Sequence, residues 1–151
     1  MISKVKTKQW DGVREIFESN VKEKRMTLGL HSTFNYIHSP RHLLHSLSRY
    51  KFASKIIGNN KRILEVGCSD GFCTTILSEN SKEVIAIDID EIAIAETFNP
   101  LNESNIEFKC VDITNSNDVD SIGIFDAAVS MDVIEHIPQK DEDEFLDAIC
   151  D

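Results

Sequence analysis

Ile63-Leu64-Glu65-Val66-Gly67-Cys68-Ser69-Asp70-Gly71 is the stretch that decides the fold. The apolar residues Ile63, Leu64 and Val66 follow Lys61-Arg62 and stop at Gly67, the pattern of a short central parallel strand with both faces covered. Gly67 and Gly71 lack a Cβ, so the backbone can turn sharply and approach a ligand before Phe72 to Leu77 continue as a helix. The free amides at such a helix start attract a carboxylate or a phosphate.

Outward from this stretch, strand and helix patterns alternate. Strands are expected at 62–66, 83–88, 106–111 and 124–130, with helices at 71–79, 91–98 and near 116–121, and Asn99-Pro100 stops the second of these helices. Alternation of this kind implies right-handed crossovers and a parallel sheet, an α/β fold of Rossmann-like type. Upstream, Ser39 reads as a helix cap, Pro40 as its first turn and Gly58 as its far end. Leu43, Leu44, Leu47, Tyr50, Ile56 and Ile57 would supply that helix with an apolar face. Val13, Ile16 and Phe17 have helical spacing near the start, and a polar stretch runs from there through Leu30. The expected organisation is a helical cap over residues 1–60 and an α/β domain over 61–151.

Asp88 closes the run Val84-Ile85-Ala86-Ile87, so its carboxylate should emerge at the carboxyl edge of the strand next to the first. An acid there can accept two hydrogen bonds from a ribose diol. A dinucleotide fingerprint would need G-x-G-x-x-G, whereas the frame here is Glu65-x-Gly67-x-x-x-Gly71, which disfavours a pyrophosphate.

From Glu65 onward the chain resembles the class I S-adenosylmethionine-dependent methyltransferases, with four signatures in order between about Lys61 and Pro138. The resemblance implies that Glu65, Gly67, Cys68, Ser69 and Gly71 belong to the loop around the methionine end of S-adenosylmethionine. It implies that Asp88 holds the ribose with Ile89 beside the adenine, and that Asp112, followed by Ile113, meets the adenine amino group. Phe125 to Pro138 is similar to the fourth-strand motif of the branch containing ubiquinone-biosynthesis O-methyltransferases, which puts Met131 against the cofactor. One departure is Ser69, where many members have a third glycine; its hydroxyl is available to the cofactor carboxylate. The family's sheet has seven strands and this sequence offers four, in expected order 3-2-1-4. Strand 4 would then be an open apolar edge, and the chain is expected to be the N-terminal part of a longer enzyme or, failing that, a minimal domain that dimerises through this edge.

Composition frames the partners. The net charge of −10 divides unevenly: residues 1–60 carry 11 Lys and Arg against 4 Asp and Glu, and the remainder carry 5 against 22. A basic cap docked on an acidic domain accounts for this, and a basic lip for an anionic substrate is the sharper alternative. No run approaches the ~20 apolar residues of a membrane span, and the start has no apolar stretch after its charges, so no membrane partner and a cytoplasmic location are expected. Cys68, Cys73, Cys110 and Cys150 have no metal-pair spacing, and Cys110 reads as a small buried hydrophobe.

A sulfonium-activated methyl group needs little more than an aligned nucleophile in a dry pocket. His136 is the candidate general base if an oxygen or nitrogen must lose a proton. Asp132, Glu135 and His136 would share a face if this stretch were helical, a set that suits a hard cation, although no metal is expected on balance. His31, His38, His42 and His45 read as solvated or substrate-facing, Arg49 as a possible ligand of the cofactor carboxylate, and Asp141 to Glu144 as a solvated helix start. The expected function is methyl transfer from S-adenosylmethionine to an oxygen or nitrogen of a small-molecule acceptor, ahead of nucleic acid. The competing readings are a metal-assisted RNA 2′-O-methyltransferase and a cofactor-binding fragment that does not catalyse.

Overall fold

The computed structural model describes residues 27–97, 105–115 and 122–150. The helix expected around Val13 to Phe17, the Asn99-Pro100 stop and the short helix near 116–121 lie outside those residues. Within them, α1 (Leu30–His38) and α2 (Pro40–Ile57) precede β1 (Arg62–Val66), α3 (Thr74–Ser78), β2 (Glu83–Asp88) and α4 (Glu91–Ala95). β3 (Ile106–Cys110), β4 (Ala127–Ser130), 3-10 turns at Ile134–His136 and Gln139–Asp141, and α5 (Glu142–Cys150) follow.

The four strands form one parallel sheet in the order β3-β2-β1-β4, as expected. Period two along the strands sorts the core onto two faces. Leu64 and Val66 join Ile85, Ile87, Val111, Ile113, Ile122 and Phe145 on one face. Ile63 joins Val84, Ala86, Val129, Leu77, Cys68 and Tyr50 on the other. α2 therefore belongs to the core through Tyr50, with Ala53 and Ile57 packed beside it.

Several local expectations are corrected. α1 begins where the polar stretch expected through Leu30 ends and was not anticipated; its first turn finds its acceptor in a residue distant in sequence, as described below. α2 has the expected bounds, but Ser39 makes no side-chain cap bond, and Leu44 and Ile56 face solvent, so its buried edge is Tyr50 with Leu43, Leu47 and Ile57 half-buried. α3 begins at Thr74, not 71, because residues 69–73 are used up in turns. α4 ends at Ala95, short of 98; Asp90 caps its start by accepting from Ile92 N and Ala93 N. β4 begins at Ala127: the carbonyls of Ile122 and Ile124 are taken by the Arg62 guanidinium, which also lies over Phe125, so residues 122–125 cannot pair as strand. β3 ends at Cys110, which is exposed and not buried, because β3 has no described neighbour on its outer side.

Among the described residues β4 pairs only with β1. No described helix is long and apolar enough to cross a membrane.

Candidate active site

A cavity of about 970 Å³ opens at the carboxyl ends of β1, β2 and β4, roofed by α1 and α2. This is the upper end of the ~300–1,000 Å³ typical of small-molecule pockets. Parallel strands put their carboxyl ends on one side, which is why residues far apart in sequence meet there.

The turn after β1 forms the floor. Gly67 N and Cys68 N both donate to Ile87 O, at 2.8 and 3.0 Å, bending the chain across the end of β2. Gly67 has φ +82°, and a Cβ on it would lie 2.2 Å from Val133 Cγ2, so the bare backbone and Val133 face each other across the cavity wall. Ser69 also adopts a left-handed conformation, φ +53°, an uncommon one for a side-chain-bearing residue. That twist aims its N–H at Asp88 Oδ2, 2.7 Å away, while Asp88 Oδ1 accepts from Asp90 N at 2.9 Å. The two motifs are thus joined directly. Beyond β3, Asp112 Oδ1 accepts from Thr114 N and Oγ1, which fixes that acid at the next position along the rim.

Gly67, Cys68, Ser69, Asp88, Ile89, Asp112, Ile113, Met131 and His136 all line this one cavity. Glu65 and Gly71 do not. Glu65 is 1% exposed beneath the turn, where its Oε1 accepts from Tyr50 Oη at 2.6 Å. Its Oε2 and the hydroxyl of Thr74 have no partner within hydrogen-bond geometry. Burial pushes the Glu65 carboxyl up to about 7 against the pull of the Tyr50 and Thr74 hydroxyls, and Asp88 adds to the rise. Gly71 serves packing: at φ +71°, a Cβ there would meet Phe108 Cε1 of β3 at 2.5 Å.

Arg49 does not reach the cavity; its guanidinium is paired with Asp132. Asp132 itself has φ +58°, and only Ile134–His136 form a 3-10 turn, so Asp132, Glu135 and His136 do not share the helical face expected of them. No group of three or more His, Cys, Asp or Glu able to hold a metal ion occurs among the described residues. His31 and His42 line the cavity, whereas His38 and His45 do not. Cys68 and Cys73 line it as neutral thiols, since burial raises both, Cys73 to about 12.

Asp70 and Ser32 were not anticipated as partners. Asp70 is 4% exposed and accepts from Ser32 N and Ser32 Oγ, both at 2.7 Å, so it caps α1 from a distance. His31 Nδ1 and Ser69 Oγ lie within hydrogen-bond range at 2.7 Å, and a Cβ on Gly29 would collide with Asp70. These contacts clamp α1 onto the turn and place Leu30, Phe34 and Asn35 on the cavity roof. The Tyr50–Glu65 pair did carry a signal in the sequence. A buried tyrosine hydroxyl needs an acceptor, and an acid in an apolar strand needs a donor.

The chain matches the family described as "Methyltransferase domain" over residues 63–151. It is 28% identical over 102 residues to a ubiquinone biosynthesis O-methyltransferase of Coxiella burnetii, covering 66% of this chain and 42% of that protein. It is 33% identical over 81 residues to the mitochondrial ubiquinone biosynthesis O-methyltransferase of Mus musculus, covering 50% and 22%. The chain thus spans less than half the length of these relatives. Among solved structures, the N-methyltransferase NodS of Bradyrhizobium japonicum in complex with S-adenosyl-L-homocysteine superposes with a TM-score of 0.54 at 23% identity, covering 72% of this chain and 53% of that one.

Proposed function

The chain belongs to the methyltransferase-domain family, and on that premise we propose that its cavity binds S-adenosylmethionine and presents the donor methyl group to an oxygen or nitrogen of a small-molecule acceptor. The observation that carries this reading is the 2.7 Å bond from Ser69 N to Asp88 Oδ2, which brings the glycine turn and the ribose-binding acid to one cavity. The residues fit the group. Gly67 brings bare backbone to the cavity lining with Val133 packed against it, Asp88 keeps lone pairs for a diol, and Asp112 is assigned to the adenine end.

When bound, the cofactor supplies a methyl group activated by its positive sulfonium. The chain's own part is to bind, orient and keep out water. Tyr50 of α2 and Met131, just past β4, supply wall, and Phe34 and Leu43 supply an apolar roof; the side toward Glu135 and His136 is assigned to the acceptor. His136, on the cavity lining, is the residue assigned to take the proton of an acceptor hydroxyl or amine at an imidazole nitrogen. No Lys or Arg is among the described lining residues, which favours an uncharged acceptor over a polyanion such as RNA.

The test is turnover. Incubation with S-adenosylmethionine and a panel of phenols and amines should yield S-adenosylhomocysteine and a product heavier by one methylene. Cofactor binding with transfer only to RNA would overturn the acceptor assignment, and failure to bind cofactor at all would overturn the reading.

A further inference from the structure

We propose that cofactor binding drives a proton off Glu65, which makes Tyr50 and Glu65 a positioning pair that couples donor binding to proton release. The inference rests on the cofactor reading above and adds to it a role for two residues, one of which never touches the cavity.

Glu65 is the second residue before Gly67, and period two turns its side chain to the face covered by α2. Tyr50 Oη donates to Oε1; Oε2 is buried with no partner of full hydrogen-bond geometry, and Thr74 Oγ1, near enough to favour the carboxylate, falls outside that geometry too. The groups around it are Tyr50 from α2, Thr74 from α3, Cys68 and Cys73 from the turn, and Asp88 from β2. Asp70 lies beyond the two thiols, and the residue of β4 in register with Glu65 is the uncharged Val129. No Lys, Arg or His pairs with it among the described residues. A carboxylate in such a place has neither solvent nor a counter-ion, so in the free protein it holds its proton until the pH reaches about 7.

Tyr50 lines the cavity while holding Glu65, and Gly67 and Cys68 line it directly above. A cation placed against Tyr50 and the turn is separated from Glu65 by one layer of protein. S-adenosylmethionine brings a sulfonium and an ammonium against a single carboxylate, and its net positive charge at that range favours the ionised form of Glu65. The O–H bond of Glu65 breaks, its electron pair stays on the carboxylate, and the proton passes to buffer. Tyr50 keeps its own proton, which burial and Glu65 hold tightly, and goes on donating to Oε1.

Calorimetric titration of S-adenosylmethionine into the intact chain at pH 7, in phosphate and in Tris, reads proton release from the difference in heat. The parent should release about half a proton more than Glu65→Gln, since its carboxyl is half ionised near that pH before the ligand arrives. Tyr50→Phe, which withdraws the hydrogen bond favouring the carboxylate, should move the midpoint of release to higher pH. It supplies the comparison if Glu65→Gln fails to fold. Equal release by parent and Glu65→Gln, or a midpoint unmoved in Tyr50→Phe, overturns the proposal while leaving cofactor binding intact. Absence of any binding heat from folded parent protein overturns the cofactor reading itself.

Discussion

The backbone N–H of Ser69 donates to Asp88 Oδ2 at 2.7 Å, so the acid expected to hold a ribose also holds the turn expected to hold the methionine end. Asp88 is therefore expected to act twice. Asp88→Ala should weaken cofactor binding about tenfold or more, the scale of one lost charge-assisted hydrogen bond at ~1.5–3 kcal/mol. It should also free the Ser69 amide. Binding calorimetry checks the first effect and faster amide exchange at Ser69 the second.

Gly67 and Val133 face each other too closely for a methyl group between them. Gly67→Ala should cost about 1–2 kcal/mol for the left-handed backbone alone, and more through the 2.2 Å contact with Val133 Cγ2. Adding Val133→Ala removes that contact and should restore part of the loss but not the backbone share. Thermal melts of the single and double variants measure both portions.

Asp70 is the pin of α1. Asp70→Ala leaves Ser32 N and Oγ without their acceptor and should release the helix from the turn at a cost of about 1.5–3 kcal/mol. Amide exchange over 30–38 should accelerate on the order of tenfold or more while the strands keep their protection. Cofactor affinity should fall as the roof loosens. Ser32→Ala, which loses only the Oγ bond, should show a smaller change in the same direction.

Stability of the ligand-free protein should depend on pH through Glu65. Its carboxyl is raised in the fold from 4.5 to about 7, so the stabilising share of its proton is fully present below pH 4.5 and is lost as pH rises through 7. The full loss is on the order of 3 kcal/mol, from about 1.4 kcal/mol per pKa unit. Glu65→Gln should remove this slope, leaving the variant more stable than the parent at pH 8 and similar at pH 4.5. Urea melts across that range provide the check.

Much of this arrangement was legible from residue order because strands carry short-range signals. Apolar runs ended by Gly67 and Asp88 gave β1 and β2 their observed bounds, the alternation of elements gave the parallel sheet, and its strand order came with the family resemblance. What escaped depends on tertiary partners. α1 has no capping residue of its own and is held by Asp70, 38 residues from Ser32. β4 is shortened because Arg62 claims carbonyls that a strand would have used. The Asp132-to-His136 stretch has helical spacing, but Asp132 turns left-handed and pairs with Arg49 instead. Glu65 and Gly71 sit in the cofactor motif yet serve what lies beneath it, which spacing alone does not reveal.

The central claim is that the turn after β1 and the acid ending β2 grasp one adenosyl ligand. Titrating S-adenosylhomocysteine into ¹⁵N-labelled protein and following the amides tests it most directly. Saturable shifts at Gly67, Ser69, Ile89 and Ile113 with one shared affinity are the predicted result. Shifts confined to one of these segments, or none at saturating ligand in a folded sample, would contradict it.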